Sequence, residues 1–317
     1  MRCESGRFLG AAPCEEKSHR SPQESVDDIA EIRQHSISRV NPMTDRNDLT
    51  VLTTGANSGI GLATVMHVAR LGFRSVGSVR SAVKATEVAN AAASTDCSVE
   101  TVLLDVTDAK RCAAVIAELH PWAIVNNAGY SGIGAIEDIT DEEARKQLET
   151  MVIAPMRLAR LALPYMRAAG EGRVVNVSSI YGLTTTPFSG WYQACKHALE
   201  AASDALRVEV TRDGIKVVLV EPGGFKTGIW TELSKDVGRH VGSNYEAGYQ
   251  RTQSLLEAFM GLMGEPEDVA KSIGNALTSR SPRARYLVGP DARAVAVAQP
   301  FIPTRLRDRI TRLVVGL

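Results

Sequence analysis

Apolar and polar positions alternate in two rhythms between residues 49 and 220. Short apolar runs bounded by Gly, Asn or Asp read as strands: Leu49–Thr54, Phe73–Val79, Val99–Leu104, Ala123–Val125, Arg173–Val177 and Lys216–Val220. Between them lie longer stretches with helical spacing: Ile60–Leu71 (stopped by Gly72), Ser81–Ser94, Ala109–Leu119, Asp141–Ala169 and Gln193–Asp213. Thr140 and Glu143 stand three apart, as a capping box at the start of the fourth helix. Short apolar strands between amphipathic helices predict an α/β fold, with a doubly wound parallel sheet covered by helices on both faces. Ligands of such sheets sit beyond the carboxyl ends of the strands.

The chain is expected to divide at about residue 48. Residues 1–48 are polar, rich in Ser, Glu and Arg, and lack sustained periodicity, which reads as a disordered extension. Met43 is an alternative natural start, because the six residues from Met43 to Asp48 make a short lead-in to the first strand. Residues 49–317 form one domain, with a helical segment at about 303–317.

Composition narrows the class. Hydrophobic residues are 44%, charged residues 23%, and the formal net charge is zero, so nothing global draws the chain toward nucleic acid. The five cysteines are scattered, with no CxxC pair or metal-like cluster, which suits a reducing, cytoplasmic compartment. No apolar run reaches the roughly 18 residues needed to span a membrane.

Three motifs carry candidate chemistry. Gly55, Asn57, Ser58, Gly59, Ile60 and Gly61 form a glycine-rich turn between the first strand and the first helix. Glycine lets the backbone approach a pyrophosphate, and the helix N-terminus offers N–H groups and partial positive charge. Such a turn can also be purely structural. Arg80 and Ser81 follow the second strand where a carboxylate would select NAD; an arginine there favours NADP(H) over NAD(H). Asp105, with Val106 beside it at the end of the third strand, can accept from an adenine amino group or simply start the next helix. Ser179, Tyr192 and Lys196 form the third set. Lys196 lies one helical turn from Tyr192, where an ammonium can lower the phenol's ordinary pKa near 10. Ser179 can hydrogen-bond a substrate oxygen.

These residues, with Asn126-Asn127-Ala128-Gly129 and Pro222-Gly223, stand in the order of the short-chain dehydrogenase/reductase family, which the chain resembles over about 49–230. The resemblance implies a Rossmann-type fold and hydride exchange between a nicotinamide and an alcohol or carbonyl. It implies that Tyr192 is the general acid/base, Ser179 positions substrate, and Lys196 binds ribose and tunes Tyr192. It places Asn127, Ala128, Gly129, Pro222, Gly223 and Thr227 along the cofactor. The family commonly forms homodimers or homotetramers. Met151, four residues before Pro155, occupies the place of an asparagine thought to hold a relay water, and methionine anchors water poorly. An impaired cofactor-binding sensor or scaffold is therefore the alternative to an enzyme.

Trp191-Tyr192-Gln193-Ala194, Glu221 to Thr227 and Ala284 to Pro290 look similar to the steroid- and retinol-dehydrogenase-like branch. The 228–264 region, read as a lid, is apolar, with Trp230, Tyr249, Phe259 and Met260 among its residues. Both features suggest a small lipophilic alcohol or carbonyl substrate. From Arg305 to Leu317 four arginines interleave with Leu306, Ile310, Leu313, Val314 and Val315. A basic amphipathic helix on a membrane surface is one reading; a helix completing the domain or an oligomer interface is the simpler one.

Overall fold

The computed structural model describes residues 45–95, 97–228 and 238–317. The expectations for residues 1–44, and for Trp230 and its neighbours, lie outside them. Seven strands form one parallel sheet: β1 (Thr50–Thr53), β2 (Arg74–Val79), β3 (Val99–Leu103), β4 (Ala123–Asn126), β5 (Gly172–Val177), β6 (Ile215–Pro222) and β7 (Arg285–Val288), in the order β3-β2-β1-β4-β5-β6-β7. The order reverses between β1 and β4, and a crevice at the carboxyl ends of those strands is the expected ligand position.

The interior strands are buried on both faces, as their unbroken apolar runs require. On one face Leu52, Ile124, Val174 and Val217 pack with Val115 and Ile116 of α3 (Ala109–Leu119) and Leu158, Ala162 and Met166 of α5 (Ala154–Ala169). On the other, Val51, Val125, Val175 and Val218 pack with Val68 of α1 (Gly59–Arg70) and Val269 and Ile273 of α8 (Pro266–Thr278). Helix α2 (Ala82–Ala93) covers the β2–β3 edge through Val88 and Ala92. Odd and even positions thus serve opposite layers, so a one-residue slip would exchange the two sets.

The 141–169 helix begins at the expected capping box but is not continuous. Helix α4 (Asp141–Leu148) widens into a π-helical segment, Glu149–Ile153, before α5 begins. Helix α6 runs Gly190–Glu209, starting earlier than Gln193 and giving way to a 3-10 turn at Thr211–Asp213. The residue before its cap, Phe188, has φ 65°, although buried and not glycine. Its ring packs on Tyr245 and on Tyr249 of α7 (Glu246–Phe259). The Tyr249 hydroxyl accepts from Ala135 N (2.5 Å) and donates to Asp138 (2.7 Å).

Strand β7 was not foreseen as a strand. It leads into α9 (Pro290–Ala298) and then α10 (Thr304–Val315). Of the α10 residues only Val315 is buried; Leu306, Ile310, Leu313 and Val314 are exposed. The helix therefore adds little to the core. Among the described residues no helix is long and apolar enough to cross a membrane.

Candidate active site

The glycine turn is built by backbone geometry. Gly55 has φ 66° and Gly59 φ 51°, values that a side chain would strain. A methyl group on Gly61 would lie 2.2 Å from the Gly55 carbonyl oxygen, so the turn closes only because that position carries none. The turn is braced from β4. Asn127 Nδ2 donates to the carbonyls of Thr54 (2.9 Å) and Gly55 (3.3 Å), while Thr54 Oγ1 accepts from the amides of Asn127 (2.9 Å) and Ala128 (3.0 Å). The Ser58 side chain makes no capping bond. The first-turn amides of α1, including those of Gly59, Ile60 and Gly61, thus remain for an anion. Thr227 faces Gly59 across this opening, within 3.2 Å of where a Cβ would stand, and Asn57 lies in the same turn.

Arg80 and Asp105 sit at the adjoining strand ends, both exposed. Ser81 caps α2, its Oγ accepting from Lys84 N at 3.4 Å. Asp105 Oδ1 accepts from the Thr107 amide (2.9 Å) and hydroxyl (2.7 Å). The Thr107 amide bond leads in holding this carboxyl below its ordinary pKa, and Arg80 adds to the shift. Asp105 therefore does serve its own turn, and it also lies near enough to Arg80 to interact electrostatically. Val106 is buried beside it, and its carbonyl accepts from Arg157.

Ser179, Tyr192 and Lys196 converge at the end of β5. Ser179 caps a 3-10 turn, its Oγ accepting from Tyr181 N at 3.2 Å. The Ser179 hydroxyl lies near enough to the Tyr192 phenol to favour its ionised form. Lys196 Nζ donates to Val177 O (2.9 Å) and stands 5.5 Å from the centroid of the Tyr192 ring. The expectation of a Tyr192 pKa below its ordinary value is not met in this geometry. Burial pushes the phenol up to about 12, with the Ser179 hydroxyl pulling the other way. Burial likewise pushes Lys196 down to about 8. Both groups favour their neutral forms here; Lys196 is buried and Tyr192 half-buried.

Pro222 ends β6, and Gly223 N donates to Val288 O (2.9 Å). A Cβ on Gly223 would meet the Asp291 carboxylate at 2.1 Å, so only glycine lets this strand end approach α9. Met151 is buried in the π-helical segment, its Sδ 3.4 Å from the position of a Cβ on Gly129. The thioether fills the place beside the cofactor segment with an apolar group.

The residues missed by sequence reasoning are Glu200, Arg285 and the side chain of Glu221, which meet beneath Lys196 on the inner face of α6. The available signal was the spacing Tyr192, Lys196, Glu200: three residues at successive four-residue steps on one helix face.

The family model for short chain dehydrogenase matches residues 49–238. The protein belongs to that family. It is 32% identical over 82% of its length to an NADPH-dependent 3-dehydrocapnine reductase of Ornithobacterium rhinotracheale, covering 94% of that protein. It is 31% identical over 82% of its length to human retinol dehydrogenase 5, covering 86% of it. A short-chain dehydrogenase from Streptomyces avermitilis has the same fold, with a TM-score of 0.68 at 30% identity, covering 83% of this chain and 95% of that one. As a short-chain dehydrogenase the chain is an oxidoreductase that uses a nicotinamide cofactor, with the Rossmann-type sheet described above.

Proposed function

We propose that the protein is an NADP(H)-dependent oxidoreductase exchanging hydride with a lipophilic secondary alcohol or its carbonyl, with Tyr192 as general acid/base. The observation that carries this reading is the convergence of the Ser179 hydroxyl, the Tyr192 phenol and Lys196, which stands 5.5 Å from the same ring, at the carboxyl edge of the sheet. The glycine turn fits a dinucleotide: its uncapped helix start presents amides, and its close approach excludes side chains. Arg80, exposed after β2, and the Ser81 hydroxyl suit a 2′-phosphate. The NADPH named for the 3-dehydrocapnine reductase supports this preference.

A bound nicotinamide would supply or accept the hydride. The protein's own residues handle the proton. Held neutral by burial, Tyr192 can donate its proton to a substrate oxygen as carbonyl becomes alcohol. Ser179 can orient that oxygen from the other side. Lys196, still largely protonated below pH 8, stabilises the tyrosinate left behind. The apolar character of Phe259 and Met260, and the likeness to retinol dehydrogenase 5, support a lipophilic substrate.

Fluorescence titration with NADPH and NADH, followed by a panel of steroid, retinoid and long-chain carbonyls, tests the reading. NADPH binding with turnover that disappears in Tyr192→Phe is the expected outcome. Binding without turnover across the panel would favour the alternative, a cofactor-binding sensor, for which the apolar Met151 is the supporting observation.

A further inference from the structure

Behind Lys196 the inner face of α6 covers a buried layer of charged groups. The sheet register explains their meeting. Ser178 N donates to Val220 O (2.7 Å), which sets Ser178 beside Glu221, and Arg285 lies on β7 opposite Leu219. Glu200 descends onto them from α6, one turn beyond Lys196. Glu221 is 0% exposed and Glu200 6%.

The cations available to these carboxylates are few. Arg285 Nη2 lies 3.1 Å from Glu200 Oε2 and 2.7 Å from Asp204 Oδ2, and its Nε 3.0 Å from Glu221 Oε1 without hydrogen-bond alignment. Asp204 also pairs with Arg207. Both Glu221 oxygens, Glu200 Oε1 and the Ser178 hydroxyl lack partners when the carboxylates are taken as acceptors only. Two buried carboxylates cannot both ionise around one shared guanidinium without a large cost. A proton on Glu221 resolves this, because the acid O–H can donate to Glu200. Burial and the Glu200 charge push the Glu221 carboxyl up to about 8, in line with that assignment. The groups facing Lys196 are the Tyr192 ring, Cys195 and Glu200; burial pushes the Cys195 thiol up to about 11, leaving it neutral.

We propose that Glu200 is a positioning residue of the proton-transfer group: its buried carboxylate, paired with Arg285 and one helical turn behind Lys196, keeps Lys196 an ammonium. This rests on the proposed role of Lys196 but is testable apart from it. Neutral Lys196 could not stabilise a tyrosinate, so the carboxylate sets the upper pH limit at which Tyr192 can give up its proton.

The test is a pH titration of Lys196 Nζ by NMR on the full chain with 15N-labelled lysine side chains, beside the pH profile of kcat/KM for carbonyl reduction. In Glu200→Gln the Lys196 midpoint should fall by about one pH unit, and the alkaline limb of the profile should move with it. Glu200→Asp, which retains the charge, should hold the midpoint nearer that of the unmodified protein and serves if the glutamine variant does not fold. A midpoint unmoved in Glu200→Gln, or displaced as far in Glu200→Asp as in Glu200→Gln, would overturn the proposal. A midpoint that falls while the turnover profile stays fixed would support the influence of Glu200 and count against the role of Lys196 in turnover.

Discussion

The two ends of one helical face in α6 handle buried polarity in different ways. At the front, Tyr192 and Lys196 are each pushed toward their neutral forms; the nearby Ser179 hydroxyl pulls against this at Tyr192, and Lys196 donates to Val177 O. One turn behind, Glu200 and Glu221 crowd one arginine and are relieved by retaining a proton. The front end has few partners and can change its protonation as substrate binds. The rear end has more carboxylates than cations and balances them with a proton. The proposed proton-transfer group thus stands one helical turn from a layer that retains a proton.

The largest effect that would break this contrast is at the front. Tyr192→Phe removes the only proposed proton donor, and kcat should fall by at least about a hundredfold with NADPH binding retained by fluorescence. Gly61→Ala should come next. Its methyl group would collide with a backbone carbonyl, and NADPH affinity should drop by at least about tenfold, or 1.4 kcal/mol; unchanged affinity in a titration would show that the turn can shift at little cost. Arg80→Asp should move the NADPH-to-NADH affinity ratio toward NADH by about tenfold, the scale of one charge-assisted contact, and an unaltered ratio would remove Arg80 from cofactor choice.

Smaller effects sharpen the rear end. The folded-state pKa of Glu221 is raised from 4.5 to about 8. Between those values the unfolded chain releases this proton and the folded chain keeps it, so this group's stabilisation is complete below about 4.5 and is lost as pH rises to about 8. Glu221→Gln should therefore flatten that part of a Tm-against-pH curve, and an unchanged slope would mean that Glu221 is ionised in the folded state. Least of all, Leu313→Ser on the exposed face of α10 should change stability by no more than about 0.5 kcal/mol in denaturant unfolding.

Local signals made part of this molecule legible. The glycine turn, the capping box at Thr140 and the Tyr192–Lys196 spacing each depend on residues a few positions apart, and the six foreseen strands are present with small shifts at their ends. What escaped depends on distant pairing. Strand β7 is short, carries Arg285 and Tyr286, and becomes a strand only because β6 offers it an edge. The 141–169 pattern is helical throughout, and nothing in its period marks the π-helical widening at Glu149. The lowering of the Tyr192 pKa was argued from one neighbour, whereas the depth of burial, which no sequence spacing reports, outweighs it. Glu200 and Glu221 are 21 positions apart, and neither local pattern reports that the fold brings them together.

Phe188 imposes a double condition on any sequence that would keep this active site. Its positive φ, a conformation costing on the order of 1–2 kcal/mol for a residue with a side chain, asks for glycine. The space between Tyr245, Tyr249 and the backbone of Gly248, where a Cβ would lie 2.7 Å from the Phe188 ring, asks for a large aromatic group. No amino acid meets both demands, so one is sacrificed, and here it is the backbone's. Because α6 starts two residues later, that compromise fixes where the helix bearing Tyr192 starts. A redesign of the α7 surface for a new substrate would therefore have to retain an aromatic anchor at 188 or accept a shift in the register of the proton donor.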